Sequence, residues 1–304
     1  MWQPLLQGLL DGDTKSLARC ISLVENEVPG TEAFLQQLPA SSVPVIGLTG
    51  PPGAGKSTLV DALLKQLVTD GKKAAVLCVD PSSPFNLGAV LGDRIRMSDW
   101  YNHPNVFIRS LATRGSLGGL HPKILEITDV CKAAGFDYVI VETVGVGQSE
   151  IEITGLADVT VVVLVPEAGD EIQTMKAGLM EIADLFVINK ADRPDADRFV
   201  HNLRLMMPPA RQQERGPVPI VKTVALRHEG TAELWNEIRQ YLALGRYNER
   251  RPWLLAEKAF QLIQHRRMKD VNKAELKDRI ATQLQEPGFN LYRFVAGFAS
   301  PAGT

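Results

Sequence analysis

The sequence predicts an α/β fold: a doubly wound, mostly parallel sheet, preceded and followed by helical segments. Between about residues 43 and 245, seven short runs rich in apolar and β-branched residues alternate with helix-length segments. A glycine-rich loop separates the first of these runs from an amphipathic helical pattern. Because a parallel crossover connection needs about a dozen residues or more, this alternation favours parallel rather than antiparallel strands.

The charge and composition argue against several classes of protein. The chain has 33 basic and 35 acidic residues and a formal net charge of −2, so we expect no nucleic-acid partner. The N-terminus lacks a basic segment before its apolar patch, which predicts no targeting segment, no membrane insertion and a cytoplasmic location. Cys20, Cys78 and Cys131 stand singly in apolar patterns and are interpreted as reduced core residues.

Residues 1–42 are predicted to form an N-terminal helical segment outside the nucleotide core. Asp13 is a candidate N-cap for a helical pattern that begins at Thr14 and runs to about Leu38. Pro29 and Gly30 interrupt that pattern.

The first strand of the core, in "VPVIGLT", leads into "GPPGAGKST". This segment fits the spacing G-x-x-x-x-G-K-[ST], in which glycines let backbone N–H groups point at a nucleotide's phosphates. The helix that follows adds its partial positive charge at the same place. The predicted nucleotide-binding residues of this loop are Gly50, Pro51, Pro52, Gly53, Ala54, Gly55, Lys56, Ser57 and Thr58.

Acidic residues at later strand ends predict a magnesium site. Mg²⁺ prefers oxygen ligands, and we expect Ser57, Asp80, Asp93 and Glu142 to supply them. Asp80 could instead cap a turn and Asp93 a helix, and both interpretations stay open. Glu142 begins an E-x-x-G variant of the D-x-x-G switch, in which the N–H of Gly145 would meet the γ-phosphate.

The base is predicted from Asn189, Lys190, Ala191 and Asp192, an N-K-x-D tetrad at a strand end. A carboxylate at Asp192 can accept hydrogen bonds from guanine N1–H and its amino group, which adenine cannot donate, so we expect GTP rather than ATP. Asn189 would tie loops together, and the stem of Lys190 would cover the base. Ala225 and Leu226 lie in a weaker motif whose backbone would contact the guanine oxygen.

The catalytic residues are less explicit in the sequence. Where Ras-like enzymes place a water-orienting glutamine, this chain has Val146, and a glutamine follows only at Gln148. We therefore expect slow hydrolysis by the chain alone. Four arginines could act in cis or form structural ion pairs: Arg94, Arg96, Arg109 and Arg114.

Residues 246–304 form a predicted C-terminal helical arm. The segments "LLAEKAFQLIQHRRM" and "KAELKDRIATQLQ" show apolar positions at helical spacing. From the pattern alone, the arm could be either a lid on the core or an oligomer contact.

With these residues, the sequence resembles the MeaB/ArgK family of P-loop GTPases, which includes the methylmalonic aciduria type A protein. The resemblance covers roughly residues 43–245. It depends on "GPPGAGKST", "VDPSSPFNLGAVLGDRIRM", "RSLATRGSLGGL", "VETVGVGQSE", "VPEAGDEIQTMKAG" and "NKAD", in this order.

The resemblance implies a GTP-hydrolysing, homodimeric chaperone of an adenosylcobalamin-dependent acyl-CoA mutase, chiefly methylmalonyl-CoA mutase, that gates cofactor loading and protects or reactivates the mutase. It implies dimerisation through the C-terminal arm and acceleration of hydrolysis by the mutase. Lys56, Glu142 and Asp93 match catalytic positions, with GTP or GDP and Mg²⁺ as cofactors. Residues of "PEAGDEIQTMK" match a mobile switch III that relays nucleotide state, here Glu167, Asp170, Glu171, Gln173 and Lys176, although an ordinary capped loop would explain them too.

Three alternatives remain at this point. The first is a P-loop kinase or ATPase linked to arginine and ornithine transport, which the guanine-reading tetrad argues against. The second is a metallochaperone GTPase, which usually has a Cys/His metal store that is not evident here. The third is a structural nucleotide-binding module without turnover.

Overall fold

The structure is a computed structural model, and it describes residues 1–80, 97–113, 120–144, 150–168, 178–207, 217–245, 248–268, 271–285 and 288–297. Seven strands form one sheet: β1 (Val45–Thr49), β2 (Ala74–Asp80), β3 (Val106–Ala112), β4 (Tyr138–Glu142), β5 (Val159–Leu164), β6 (Leu185–Ile188) and β7 (Ile220–Lys222). The strand order is β3-β2-β4-β1-β5-β6-β7, and every pairing is parallel. The predicted doubly wound α/β fold is therefore confirmed.

Helices cover both faces of the sheet and continue beyond it. The described α-helices are α1 (Trp2–Leu10), α2 (Thr14–Glu25), α3 (Thr31–Leu35), α4 (Lys56–Thr69), α5 (Ile124–Ala133), α6 (Glu150–Leu156), α7 (Gly178–Ile182), α8 (Ala196–Met206), α9 (Thr231–Ala243), α10 (Arg251–Arg267), α11 (Lys273–Gln283) and α12 (Leu291–Ala296). Three short 3₁₀ helices span Ser98–Trp100, Pro166–Ala168 and Ala225–Arg227.

The central strands are buried on both faces. All residues of β1, β2 and β5 are buried, which is why they read as continuous apolar runs rather than alternating ones. Helices α4 and α9 pack on one face with Ile46 and Leu48 of β1. The opposite face of β1, at Val45, packs in a core that includes residues of α5 and α6.

The N-terminal helices belong to that second core. Asp13 caps α2 by accepting from the backbone N–H of Lys15 and Ser16, as the sequence predicts. Helix α1 lies within the predicted helical segment 1–42 but before the helical pattern identified from Thr14. The Trp2 ring stacks on Phe34 of α3 at 4.7 Å between centroids, and its indole N–H donates to the Pro29 carbonyl. These helices share one continuous hydrophobic core with the sheet, rather than standing apart from the nucleotide core.

The chain divides into two compact units, Met1–Leu254 and Leu255–Thr304. The first unit holds the whole sheet. The second contains α11, α12 and most of α10, and no described residue of these three helices is buried. Within the described part of the chain, no helix has both the length and the apolar character needed to cross a membrane.

Candidate nucleotide-binding site

The loop between β1 and α4 has a backbone that requires glycine. Gly50, Gly53 and Gly55 have φ of 144°, 75° and 87°. A Cβ on Gly50 would lie 2.1 Å from the carbonyl oxygen of Val163, and one on Gly55 would lie 2.4 Å from Asn189 Nδ2. The motif glycines thus allow both the turn and its close approach to neighbouring strands.

Lys56 spans this loop from the first position of α4. Its side chain is buried, and Nζ donates to the carbonyls of Gly50 at 2.9 Å and Pro51 at 3.2 Å. The ammonium group therefore lies where the N-terminus of α4 already presents partial positive charge. A cation and a helix N-terminus at one loop form a site for anionic phosphates.

Candidate oxygen ligands for a metal ion converge beside the same loop because of the sheet register. Leu48 of β1 and Cys78 of β2 both pair with Glu142 of β4, which brings three strand ends together. Ser57 Oγ donates to Glu142 Oε1 at 2.7 Å, and Asp80 at the end of β2 lines the same cleft. A hydroxyl and two carboxylates are the hard oxygen donors that Mg²⁺ prefers, so these residues fit a magnesium ion.

Asn189 connects the phosphate loop to the loop after β7. It is buried, and Nδ2 donates to the Ala54 carbonyl at 2.9 Å. Its Oδ1 accepts from Thr223 Oγ1 and from the N–H of Ala225, each at 3.1 Å. The amide therefore ties these loops together. The N–H of Ala225 is used within the protein, and the predicted backbone contact of this loop with guanine stays a prediction.

The other residues predicted to contact the base follow Asn189 in the chain or lie in the loop after β7. Lys190 has φ of 56°, and its Nζ donates to the Gly53 carbonyl at 2.7 Å, which places its stem across the loop. The half-exposed carboxylate of Asp192 lies 3.6 Å from the Arg227 guanidinium. Leu226 is 82% exposed.

Many predicted residues line one cleft of about 460 Å³. The lining residues are Pro52, Gly53, Gly55, Lys56, Ser57, Thr58, Val79, Asp80, Glu142, Thr143, Val144 and Lys190. Four further predicted residues do not line the cleft but make the hydrogen bonds that hold the loop, as described above: Gly50, Pro51, Ala54 and Asn189. Six predicted site residues lie outside the described residues: Asp93, Gly145, Asp170, Glu171, Gln173 and Lys176.

The structure shows further contacts near the site that the sequence motifs did not predict. Thr143 Oγ1 donates to Thr49 Oγ1 at 3.0 Å, joining β4 to the start of the phosphate loop. Arg193 forms an ion pair with Glu167, the first of the predicted switch III residues. Burial is the largest single influence on Glu167 and opposes its ionisation. The hydrogen bond from Arg193, the backbone N–H of Glu167 and the charges of Arg193 and Lys190 together outweigh burial and lower the pKa of that carboxyl.

One candidate catalytic arginine has a structural role. Arg109 of β3 donates to Glu25 at 3.0 Å and to Ser22 at 3.1 Å, both on α2. This pairing holds the guanidinium at the N-terminal helices. Arg94, Arg96 and Arg114 lie outside the described residues. In the described part of the chain, no group of three or more His, Cys, Asp or Glu side chains could hold a metal ion.

Comparison with known proteins decides the family. Residues 17–277 match the family described as methylmalonyl-CoA mutase-associated GTPase MeaB. The chain belongs to the MeaB family. It is therefore a GTPase, and the cleft of the MeaB-family fold described above is its candidate nucleotide site.

Individual relatives agree with this MeaB assignment. A relative from Pyrococcus abyssi is 46% identical over 260 residues, covering 83% of this chain and 80% of that protein. The GTPase ArgK of Escherichia coli is 37% identical over 285 residues, covering 86% and 84%. A crystal structure described as a LAO/AO transport system kinase superposes with a TM-score of 0.64 at 26% identity, covering 98% and 97%.

Proposed function

We propose that this MeaB-family GTPase is a magnesium-dependent chaperone of an adenosylcobalamin-dependent acyl-CoA mutase, with methylmalonyl-CoA mutase as the first candidate. In this role it gates loading of the cofactor and protects or reactivates the mutase. The observation that carries the nucleotide part is the Asn189 amide, which holds the predicted guanine loop against the phosphate loop. The description of the family supports the mutase part.

In this proposal the phosphates bind to the backbone N–H groups of the glycine loop and to Lys56. The ammonium of Lys56 exchanges its carbonyl acceptors for phosphate oxygens, a charge-assisted contact that is stronger than the neutral one. Asp192 accepts from the guanine edge, and the stem of Lys190 covers the base.

Ser57, Asp80 and Glu142 would hold the magnesium ion, with Asp93 as the fourth predicted ligand. When bound, Mg²⁺ neutralises charge that develops on the phosphates. The Ser57 hydroxyl donates a 2.7 Å hydrogen bond to Glu142 Oε1, so each side chain helps to orient the other in the cleft.

The chain alone is expected to hydrolyse GTP slowly. Its sequence has Val146 where a Ras-like enzyme has a glutamine. Arg109, the one described candidate for a cis arginine, is already paired with Glu25. A bound mutase would accelerate hydrolysis by completing the catalytic groups, and switch III, from Glu167 to Lys176, would relay nucleotide state to it.

The proposed quaternary state is a homodimer formed through the C-terminal arm. Large apolar side chains of this unit are exposed, including Phe260, Ile263, Leu284 and Tyr292. Several large exposed apolar side chains in one unit commonly mark a protein interface. A second copy of the chain would cover it. A cytoplasmic site of action remains a prediction.

The experiment that tests the proposal measures GTP hydrolysis by the purified chain alone and with each candidate mutase. We expect strong acceleration by one mutase and co-elution that differs between GDP and a non-hydrolysable GTP analogue. A rate that no mutase changes, without co-elution, would contradict the chaperone role. A Lys56→Ala variant is the control for contaminating phosphatase activity.

A kinase activity is the second candidate, because the structure with the TM-score of 0.64 is described as a transport system kinase. A kinase would transfer the γ-phosphoryl group to an acceptor other than water. The same assay distinguishes the two. Release of inorganic phosphate from GTP, with weak ATP binding, favours hydrolysis, whereas ATP preference with label transferred to a protein favours the kinase.

A further inference from the structure

The arm root, which we define as residues 248–254, caps a helix of the core. Asn248 Nδ2 donates to the carbonyls of Thr154 at 2.6 Å and Ala157 at 2.8 Å. These carbonyls lie at the C-terminal end of α6, where the last carbonyl groups of a helix have no partner within the helix. The arm root thus supplies donors that α6 itself lacks.

Two arginines of the arm root add to this capping. Arg251 Nη2 donates to the Leu156 carbonyl at 3.0 Å and to Asp158 Oδ1 at 2.8 Å. Arg250 Nη2 donates at 2.9 Å to the carbonyl of Glu181, near the end of α7. Cations near helix C-termini are stabilised by the helix dipole. One short segment therefore caps both α6 and α7.

Helix α6 is packed tightly between the arm root and β1. A Cβ on Gly155 would lie 2.7 Å from Leu254 Cβ of the arm root. A Cβ on Gly47 of β1 would lie 2.8 Å from Ile153 Cγ1 and 2.9 Å from Ala157 Cβ. Because the packing leaves no room on either side, α6 cannot shift without a response from its neighbours.

The two capped helices follow the two segments that are predicted to respond to nucleotide. Helix α6 follows Glu142 and Gly145, and α7 begins just after Lys176. Strand β1, against which α6 packs, leads directly into the phosphate loop. The arm root therefore contacts the C-terminal ends of the two helices that follow these segments, and α10 continues from it to Arg267.

We propose that Asn248 and Arg250 are positioning residues that couple nucleotide state to the arm root. A displacement of α6 or α7 on exchange of GDP for GTP moves the carbonyls that these side chains hold, and so moves the start of α10. By linkage, the same contacts set the relative affinity for the two nucleotides. The inference rests on the proposed GTP switch but not on the identity of any client.

A merely structural tie would stabilise the fold in both nucleotide states equally. Coupling instead requires that the contacts differ between the two states. Two measurements separate these cases: the ratio of the affinities for GDP and for a GTP analogue, and the hydrogen exchange of the arm root in the two nucleotide states. A change in overall stability that is equal in both states alters neither measurement.

The test uses the full-length chain without any mutase. The dissociation constants for GDP and for a non-hydrolysable GTP analogue are measured for the parent, Arg250→Ala and Asn248→Ala. The matched control is Arg239→Ala, which removes another exposed arginine of the first unit, paired with Asp70 away from α6 and α7. Hydrogen exchange of the 248–254 amides is measured in both nucleotide states of the parent.

We expect the affinity ratio to change by about fivefold or more in both arm-root variants and to stay unchanged in Arg239→Ala. We also expect exchange of the 248–254 amides in the parent to differ between GDP and the analogue. Equal exchange in the two states would overturn the proposal, even if a variant failed to fold. Equal weakening of both nucleotides, which leaves the ratio unchanged, would also overturn it.

Failure of this inference is distinct from failure of the proposed function. A chain whose GTP hydrolysis is accelerated by a mutase, but whose arm root is insensitive to nucleotide, refutes the coupling alone. A chain that shows the coupling but responds to no mutase refutes the chaperone role alone.

Discussion

Asn189 shows how one buried side chain can organise a binding site. Its Nδ2 is committed to the Ala54 carbonyl, and its Oδ1 accepts from Thr223 and Ala225. Both ends of the amide are used, so neither a carboxylate nor an apolar side chain of similar size could replace it. The predicted base loop and the phosphate loop are consequently held together through this one side chain.

Asp192→Asn tests the predicted guanine contact. The amide presents only one acceptor where the carboxylate has two, and a hydrogen bond to a charged group contributes about 1.5–3 kcal/mol. We expect the dissociation constant for GDP to rise about tenfold or more and the preference for GDP over IDP to shrink, as measured by titration calorimetry. Asp197→Asn, an exposed partner of Lys222, is the control. A parent chain that binds GDP and IDP equally would contradict the assignment of Asp192.

Gly55→Ala tests the close approach at the phosphate loop. A side chain at φ of 87° costs about 1–2 kcal/mol, and its Cβ would meet Asn189 Nδ2 at 2.4 Å. Gly71→Ala has similar backbone strain, with φ of 71°, but its Cβ meets nothing within 4 Å. We expect both variants to lose stability in thermal unfolding, and only Gly55→Ala to lose GDP binding. Unchanged binding in Gly55→Ala would count against this loop as the phosphate site.

Ser57→Ala tests the magnesium site. Loss of the hydroxyl removes one predicted ligand and the partner of Glu142 Oε1. We expect the half-saturating Mg²⁺ concentration for GTP hydrolysis to rise several-fold, about the effect of one lost hydrogen bond. Thr69→Ala is the control, because its hydroxyl donates to the Lys65 carbonyl within α4. An unchanged Mg²⁺ dependence would exclude Ser57 as a ligand.

At the scale of elements, the three N-terminal helices show how tertiary contacts complete weak local signals. Helix α1 contains Gly8, which weakens the helical pattern, whereas Pro4 lies in the first turn, where its missing N–H costs no intrahelical hydrogen bond. Packing compensates, since Leu6 and Leu9 are buried in the core that α1 shares with α2. Helix α2, by contrast, has a strong local start at its Asp13 cap.

Asp13→Ala tests the contribution of this N-cap to stability, and that contribution is expected to depend on pH. The side-chain hydrogen bond from Ser16 Oγ, together with the Ser16 backbone N–H, lowers the pKa of Asp13. Because the pKa of the folded state is below that of the unfolded state, this contribution is present above about pH 4 and is lost as the pH falls through the folded-state value. We expect Asp13→Ala to lower the Tm at pH 7, with the difference from the parent shrinking toward pH 2.

Asp13→Asn is the matched variant for that experiment. An Asn cap still accepts from the helix N–H groups but has no charge to titrate. We therefore expect a Tm near that of the parent at pH 7. A Tm difference between Asp13→Ala and the parent that stays constant from pH 7 to pH 2 would contradict the role of the ionised carboxylate.

At the scale of the whole molecule, the chain combines a closed first unit with an open second one. The first unit buries both faces of its central strands. In the second, Leu255–Thr304, large apolar side chains such as Leu255, Phe260 and Leu284 are exposed, and none of the residues described in α11 or α12 is buried. Isolated helices without a buried face are marginally stable, so a partner surface would supply the missing packing.

Charges placed on that apolar surface test the proposed dimer. Phe260 and Ile263 lie three positions apart on α10, and both are exposed. We expect Phe260→Glu with Ile263→Glu to shift the chain from dimer to monomer in sedimentation velocity, with GDP affinity unchanged. Leu205→Glu on α8, also an exposed leucine, is the control. A parent chain that sediments as a monomer would contradict the dimer.

Much of the fold followed from local sequence patterns, whereas part of the site did not. All seven strands and the phosphate loop were predicted, because apolar runs and positive-φ glycines reflect neighbours close in the chain. The pairing of Arg109 with Glu25 was left open, since these residues meet only when α2 packs beside β3. The separate helix α1, before the pattern identified from Thr14, was not resolved within the predicted helical segment for a similar reason.

The sequence by itself therefore determined the seven strands and the glycine-rich loop between β1 and α4, and it predicted the guanine-reading tetrad. Steric limits on backbone dihedrals and the burial of apolar runs act over a few residues, so they produce patterns that can be recognised in the sequence. Tertiary structure alone decided that Asn189 joins two loops and that the arm root caps α6 and α7. Those contacts join residues far apart in the chain, and a hydrogen bond between distant residues leaves no periodic pattern in a single sequence.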